Sequence, residues 1–239
     1  MTNGSTAMFD LLSILLAVVV VLAAPKIWAR YVFFKHNRDR QDLPDSGGEL
    51  ACEQLRQLHL PQVHLEPTQH RSHYDSDSKA VCLSPNCMNN HSLTALVKAA
   101  YEVGHAWQDH RKAAAGRFRA GLLHLAEQGE QIGSGALLLS PLVALLEPSI
   151  GATLLFCAVV SMLTGALVHL IIIPLEWQAS FEYALPLLVR SQQIKQQDRP
   201  AVKQLLAACA LSPFAYALAN LLDGRHWLKV LGFRLPQLD

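Results

Sequence analysis

Tyr101-Glu102-Val103-Gly104-His105 is the stretch that decides how this chain folds and what it can do. In a helix, positions i and i+4 lie on one face, so Tyr101 and His105 would present their side chains to one point. Glu102 lies about a quarter turn away and adds a carboxylate to the same helix. The pentapeptide therefore predicts a helix that carries a candidate site.

The spacing matches the His-Glu-x-x-His pattern, in which two histidines bind zinc and the glutamate moves a proton. Tyr101 stands where the first histidine would be. A phenol is an unusual zinc ligand, and its ordinary pKa of about 10 must fall before it binds as phenolate, although a nearby divalent cation favours that change. The alternative interpretation is a helix with a tyrosine packed on one face.

The composition indicates a mixed membrane protein. Of 239 residues, 51% are hydrophobic and only 16% are charged, which is too apolar for an ordinary soluble domain but too polar for a chain buried wholly in lipid. The net charge of +1 and the lack of a basic stripe with interleaved aromatic residues exclude a nucleic-acid-binding protein.

Three or four apolar segments are candidates for transmembrane helices. Residues 8–29 form the first, and their flanking basic residues follow the apolar run, which favours a membrane anchor over a secretory signal. Residues 132–173 form a helical hairpin with a turn at Glu147-Pro148-Ser149, although its first arm, residues 133–146, is short for a span. Residues 202–222 are a fourth candidate, with Pro213 in the middle.

The distribution of basic residues predicts an outside N-terminus and a cytoplasmic motif region. No Lys or Arg precedes the first apolar segment, and five follow its apolar core: Lys26, Arg30, Lys35, Arg38 and Arg40. Five scattered cysteines without a disulfide-like framework fit a reducing compartment, and Cys82 and Cys87 are interpreted as ordinary thiols.

Glu176 follows the second arm of the hairpin, on the predicted cytoplasmic side. An isolated Glu just past a membrane helix is more often a solvated helix end than a ligand. It nevertheless lies where a third ligand for a site at Tyr101 and His105 would be needed.

Several motifs in the same order resemble the YugP-like neutral zinc metallopeptidases, which are membrane proteins. The matching stretches are Gly48-Glu49, His73-Tyr74-Asp75, Leu83-Ser84, Ser92-Leu93, residues 100–108 around the motif, and Pro174-Leu175-Glu176-Trp177-Gln178-Ala179-Ser180. They extend over nearly the whole chain, which is identified as a member of this family on that basis.

The resemblance implies a zincin-like helical unit whose zinc is held by two helix histidines and a downstream acidic residue. It assigns the second His ligand to His105, the catalytic base to Glu102 and the third ligand to Glu176. Tyr101 departs from the pattern, so Zn²⁺ is expected to be weakly bound or absent if Tyr101 does not ligate. Residues that could replace the lost ligand are Asp109, His110, His91 and His73.

The predicted fold class is mainly α, a membrane-anchored zincin-like helical unit with a small β-hairpin and three to four transmembrane helices. A helix over residues 45–60 precedes strands near 63–65 and 80–83, which are expected to pair as the hairpin, and the motif helix covers about 92–111. The segments are an N-terminal transmembrane helix (1–30), a cytoplasmic metallopeptidase-like region (31–131), a transmembrane hairpin (132–176), and a cytoplasmic segment (177–239) with the apolar helix 202–222. Residues 112–131 are interpreted as an amphipathic connector.

Three functions fit these residues. The first is an integral-membrane zinc metallopeptidase with Glu102 as general base, cutting peptides or membrane-protein segments at the cytoplasmic surface of what we expect to be a bacterial inner membrane. The second is an inactive pseudopeptidase that binds a peptide or membrane partner. The third is a membrane scaffold, against which the retention of Glu102, His105 and Glu176 speaks.

Overall fold

The computed structural model describes residues 3–111 and 113–220, and most of them are helical. The helices are α1 (Asn3–Lys35), α2 (Gly47–Gln57), α3 (Pro85–Asn89), α4 (Leu93–Arg111), α5 (Ala113–Leu146), α6 (Pro148–Gln178), α7 (Leu185–Arg190) and α8 (Arg199–Asn220). A π-helical segment, Ala179–Ala184, joins α6 to α7, and a 3₁₀ turn, Gln196–Asp198, precedes α8. The predicted mainly α class with a small β element is confirmed.

The chain divides into two compact units. The first, called the motif unit here, comprises Trp28–Leu122 and Ile172–Ser212. The second, called the apolar unit, comprises the described parts of Met1–Ile27, Leu123–Ile171 and Pro213–Asp239.

In the motif unit, α2 begins with a capping box. The Ser46 side chain accepts a hydrogen bond from the Glu49 backbone N–H, and the Glu49 carboxylate accepts one from the Ser46 N–H at 2.7 Å. These bonds satisfy backbone donors that a helix start leaves unpaired. The helix predicted over residues 45–60 therefore forms, starting at Gly47 and ending at Gln57.

The motif helix α4 is the centre of this unit and is buried on nearly all sides. The apolar side chains of its first half pack with those of α8, among which Leu96, Leu205 and Leu206 are fully enclosed. Its Ala99, Val103 and Ala106 positions pack against the sheet. A helix that is covered all round must keep its remaining polar side chains in pairs, which explains the polar cluster at its centre.

The sheet has three strands in the order β1-β3-β2: β1 is His64–Pro67, β2 is His73–Asp75 and β3 is Ala80–Leu83. Both predicted strands form, but their predicted pairing as a hairpin is wrong, because β1 pairs with β3 in parallel. The hairpin is made by β2 and β3, which pair antiparallel from His73 opposite Cys82 to Asp75 opposite Ala80. The short β2 was missed because a strand of three residues is too short to show an alternation of apolar and polar side chains.

The apolar unit contains the helical hairpin, whose turn lies at Glu147 between α5 and α6, as predicted. Small residues bring the two helices together: the Ser161 hydroxyl donates to the Gly129 carbonyl at 2.7 Å, and a Cβ at Gly133 would lie 2.8 Å from Met162 Cγ. Close approach of this kind is typical of helix pairs in membranes.

Four helical stretches within the described chain are long and apolar enough to cross a membrane: Leu12–Lys35, Gly116–Leu146, Pro148–Arg190 and Gln196–Asn220. Two expectations are corrected. The first hairpin arm is not short, and residues 113–131 are not a separate connector, because α5 runs unbroken from Ala113 to Leu146. The fourth apolar helix continues through Pro213 to Asn220, and residues 221–222 lie outside the described range.

Candidate functional site

Tyr101 and His105 lie one turn apart on α4 and face the same point, as their spacing predicts. Their rings meet edge to face, with centroids 4.6 Å apart, and both side chains are buried. The Tyr101 hydroxyl donates a short hydrogen bond to Oε2 of Glu176, and Nε2 of His105 lies 3.0 Å from the same oxygen. His105 and Glu176, the two ligands that the resemblance implies, are thus in direct contact, and Tyr101, at the position of the missing first ligand, contacts both.

Glu176 reaches this point from the last turn of α6. Its side chain is 1% exposed, so its charge must be balanced by neighbours. Nε of Arg119, on α5, donates to Oε1 of Glu176 at 2.7 Å. Both carboxylate oxygens of Glu176 therefore already accept hydrogen bonds, and the donor to Oε1 is the cationic guanidinium of Arg119.

Arg119 was missed by sequence reasoning. It lies 57 positions before Glu176, in a stretch rich in Ala, Leu, Arg and Glu that was interpreted only as a connector. A cation in a helix that continues into an apolar span usually has an acidic partner, but Arg117 and Arg119 offer this signal equally. The partner could not be identified without the course of α5 and α6.

Two features fix the end of α6 against α4. Nε2 of Gln108 donates to the Leu175 carbonyl and to Oε1 of Gln178, both at 3.1 Å. A Cβ at Gly104 would lie 2.7 Å from the Ala179 carbonyl oxygen, so only glycine allows α4 to approach the π-helical segment this closely. Segments of π-helix are frequent at functional sites, and here the segment begins three residues after Glu176.

Glu102 is buried on α4, with 6% of its surface exposed. Burial disfavours the carboxylate and raises the pKa of Glu102, while the charges of His105 and Arg119 act in the opposite direction. Burial also raises the pKa of Tyr101 well above its ordinary value, and Glu176 and Glu102 add to that effect. The Tyr101 phenol is therefore neutral at physiological pH and acts as a hydrogen-bond donor.

None of the proposed replacement ligands joins this cluster. Asp109 accepts hydrogen bonds from the Tyr74 hydroxyl at 2.9 Å and from the Lys79 ammonium at 2.6 Å. His110 stacks on Trp107, with ring centroids 5.4 Å apart. The other two histidine rings contact backbone carbonyl oxygens. His73 contacts that of Arg71, and His91 contacts that of Leu43.

The two cysteines considered as a metal pair are buried thiols. Cys87 donates to the Ala95 carbonyl at 3.4 Å, and burial raises the pKa of Cys87 to about 11. Burial also raises the pKa of Cys82. Across residues 3–111 and 113–220, no group of three or more His, Cys, Asp or Glu side chains is arranged to hold a metal ion.

The donor set at Glu176 does not fit zinc. Catalytic zinc sites usually use three imidazole, carboxylate or thiolate ligands, and this cluster offers one imidazole and one carboxylate. Nε2 of His105 is directed into the cluster, and in the tautomer with its proton on Nε2 this nitrogen donates to the Glu176 carboxylate and has no free lone pair for a metal. Arg119 supplies the positive charge that would otherwise have to come from an ion.

A family model described as "Putative neutral zinc metallopeptidase" matches residues 11–231. The chain belongs to this family. A curated relative, "Putative membrane protease YugP" of Bacillus subtilis (strain 168), is 26% identical over 203 residues, covering 82% of this chain and 87% of the relative. The comparison with solved structures gives no match. The family resemblance inferred from the motifs is confirmed. Because the family implies zinc, the function of this chain depends on whether a zinc ion or the Arg119 guanidinium lies next to Glu176.

Proposed function

We propose that this chain is a membrane-embedded member of the metallopeptidase family that has lost zinc-dependent hydrolysis and binds polypeptide segments without cutting them. The observation that carries the proposal is the occupation of Glu176. Its Oε1 accepts from Arg119, and its Oε2 accepts from Tyr101 and lies against His105.

Charge balance disfavours a metal in this cluster. A divalent cation next to Glu176 would lie within a few ångströms of the Arg119 guanidinium, and like charges at that distance in a poorly solvated site repel strongly. Displacing Arg119 would leave a guanidinium that is 23% exposed without its acidic partner. The ion pair therefore competes directly with metal binding.

Tyr101 adds to this competition. Zinc binding through Tyr101 requires the phenolate, but burial raises the pKa of Tyr101 and favours the protonated form. Binding would also break the hydrogen bond from Tyr101 to Glu176. Hydrolysis with Tyr101 as a ligand, the competing function, requires both changes at once.

The sheet offers a surface for a polypeptide partner. β2 is an edge strand, and its far side forms no pair with another strand of the described chain. It is held to the motif helix by the Tyr74 hydroxyl, which donates to Asp109. An extended segment can add to such an edge through its backbone, and side-chain pockets then give selectivity.

The membrane setting supports a partner at the bilayer surface. Four helices have the length and composition of membrane spans. The excess of Lys and Arg after the first of them favours a cytoplasmic motif unit and an outside N-terminus, with the bacterial inner membrane as the proposed location.

The test uses the full chain in nanodiscs with zinc present. We expect displayed peptide libraries to yield extended peptides that bind and stay intact by mass spectrometry, equally with the Glu102→Gln variant. N-methylation along the peptide should weaken binding at alternate positions only, since a strand directs every second N–H toward its partner.

A photo-crosslinking residue locates the binding edge. Placed at His73, on β2, it should capture the bound peptide, whereas the same residue at His64, on the opposite edge strand β1, should not; both positions are exposed. Zinc-dependent cleavage that disappears in Glu102→Gln would refute the proposal and show that the chain is an active zinc peptidase.

A further inference from the structure

A cavity of about 530 Å³ lies at the C-terminal end of α1, and nothing in the function proposed above uses it. It is lined by Tyr31, Phe34, Lys35, Asn37 and Arg38. Three of these follow the spacing i, i+3 and i+4 along the last turn of α1, so they share a helix face, and Arg38 comes just after the helix ends. Two aromatic rings and two cations thus surround one open volume.

The two cations in this cavity are available to a ligand. Lys35 and Arg38 are exposed, and neither forms an ion pair within the part of the chain that the structure describes. The neighbouring Arg40 differs, because it is bound to Asp42 at 2.6 Å and to Asp198 at 2.9 Å. The acidic side chain closest in sequence, Asp39, accepts a hydrogen bond from the His91 backbone N–H at 3.0 Å.

The position of the cavity along the chain identifies its surroundings. The first apolar stretch, Leu12–Lys35, ends at this cavity. Tyr31 is 58% exposed and Phe34 is 82% exposed, which is unusual for aromatic rings unless they face lipid or a partner. Aromatic rings next to basic residues at the end of an apolar helix are typical of the depth at which lipid headgroups lie.

A second, smaller cavity of about 170 Å³ adjoins this one and shares Phe34 and Asn37 with it. Lys98, on α4, lines that cavity, and its Nζ lies 4.1 Å from the centre of the Phe33 ring. A third cation therefore lines the cavity that adjoins the one at Lys35 and Arg38.

We infer that this face binds the headgroup of an anionic phospholipid. Lys35 and Arg38 would contact the phosphate, and Tyr31 and Phe34 would pack along the glycerol and the first methylene groups of the acyl chains. The combination matches a molecule with a negative phosphate and an apolar body, whereas free phosphate would gain nothing from the two rings.

The experiment measures lipid binding to the full chain by native mass spectrometry in detergent micelles that contain phosphatidylglycerol or phosphatidylcholine. We expect phosphatidylglycerol to bind more tightly, and Lys35→Gln/Arg38→Gln to lower its affinity about 10- to 30-fold, since each surface cation contributes roughly a fivefold factor. The matched control is Arg56→Gln/Arg111→Gln, which removes two exposed cations outside the cavity and should leave the affinity within about twofold.

Phe34→Ala separates the lipid from free phosphate and keeps every charge. It should weaken phosphatidylglycerol binding, and excess inorganic phosphate should not displace the lipid from the native chain. Equal affinity for the two lipids, an equal loss in both double variants, or displacement by inorganic phosphate would each overturn the inference.

Discussion

Arg119 and Glu176 form an ion pair at the centre of the motif unit, with Nε of Arg119 2.7 Å from Oε1 of Glu176. In the family, this glutamate position is expected to face a metal cation. In this chain it faces a cation of the protein itself, while Tyr101 and His105 contact its other oxygen. Tyr101, which stands where the motif has His, and Arg119 therefore donate to the same carboxylate group.

The first prediction concerns the stability that this ion pair contributes. Arg119→Gln should lower the free energy of unfolding by about 2–3 kcal/mol, or Tm by roughly 4–10 °C, because it leaves a buried carboxylate without its cation. The value is below that of a fully enclosed pair because Arg119 is 23% exposed. Thermal unfolding in detergent measures the change.

Arg117→Gln is the matched control, since Arg117 lies on the same helix and is exposed. It should change Tm by less than about 2 °C. The double variant Arg119→Gln/Glu176→Gln should regain part of the loss, because the unpaired charge is removed. Equal effects of Arg119→Gln and Arg117→Gln would contradict the ion pair.

The second prediction concerns the Tyr101 hydroxyl. Tyr101→Phe should cost about 1–2 kcal/mol, since Glu176 loses one of its donors but keeps Arg119 and His105. Tyr74→Phe, which removes a hydroxyl bonded to Asp109 at 2.9 Å, gives a comparison at a pair that is only partly buried. Thermal unfolding and elemental analysis should be run together, because loss of bound zinc in Tyr101→Phe would identify Tyr101 as a ligand.

The third prediction concerns the close approach at Gly104. Gly104→Ala should destabilise the motif unit by about 2 kcal/mol or more, because the added Cβ would lie 2.7 Å from the Ala179 carbonyl oxygen. Gly121→Ala on α5 is the control, because its Cβ would meet no atom within 4 Å. That change should stabilise the helix by about 0.5–1 kcal/mol. Destabilisation by both would argue against the packing described.

The fourth prediction concerns pH. Burial raises the pKa of Glu102 above 4.5, so the folded state holds a proton that the unfolded state releases over the interval between the two pKa values. The stability that Glu102 contributes is complete below its unfolded pKa and is lost as the pH rises through its folded pKa.

Glu102→Gln removes this titration while keeping the shape of the side chain. The variant should therefore be more stable than the native chain at neutral pH, and the difference should shrink as the pH falls toward the unfolded pKa. Unfolding curves for both proteins at several pH values between about 4 and 8 give the difference directly. A difference that is independent of pH would mean that Glu102 does not titrate in this range.

The sequence predicts those parts of the fold that depend on local patterns. The apolar runs, the turn at Glu147 and the helix over residues 45–60 each follow from a few adjacent residues, and all three are found, the last as Gly47–Gln57. The motif helix, predicted over about 92–111, runs from Leu93 to Arg111. The division of the chain into four functional segments stays a prediction.

Long-range relationships could be predicted only where the hairpin topology or the family resemblance supplied them. The topology predicts Glu176 on the same side as the motif helix and the resemblance pairs it with His105, and the structure brings the two within 3.0 Å. Arg119 had no such guide, because its partner depends on the rotation of α5 about its axis. The parallel pairing of β1 with β3 was missed for a related reason, since it depends on how the chain returns after β2.

The most direct measurement is zinc per chain, by elemental analysis of detergent-purified protein exposed to zinc and then dialysed. The native chain, Tyr101→His, Arg119→Gln and Tyr101→His/Arg119→Gln would be compared, because only the double variant offers two imidazoles and a carboxylate free of the guanidinium. We expect little zinc in the native chain and close to one per chain in the double variant, lost again on Glu176→Ala. Close to one zinc in the native chain, lost on Glu176→Ala, would instead identify a working metal centre that includes Tyr101.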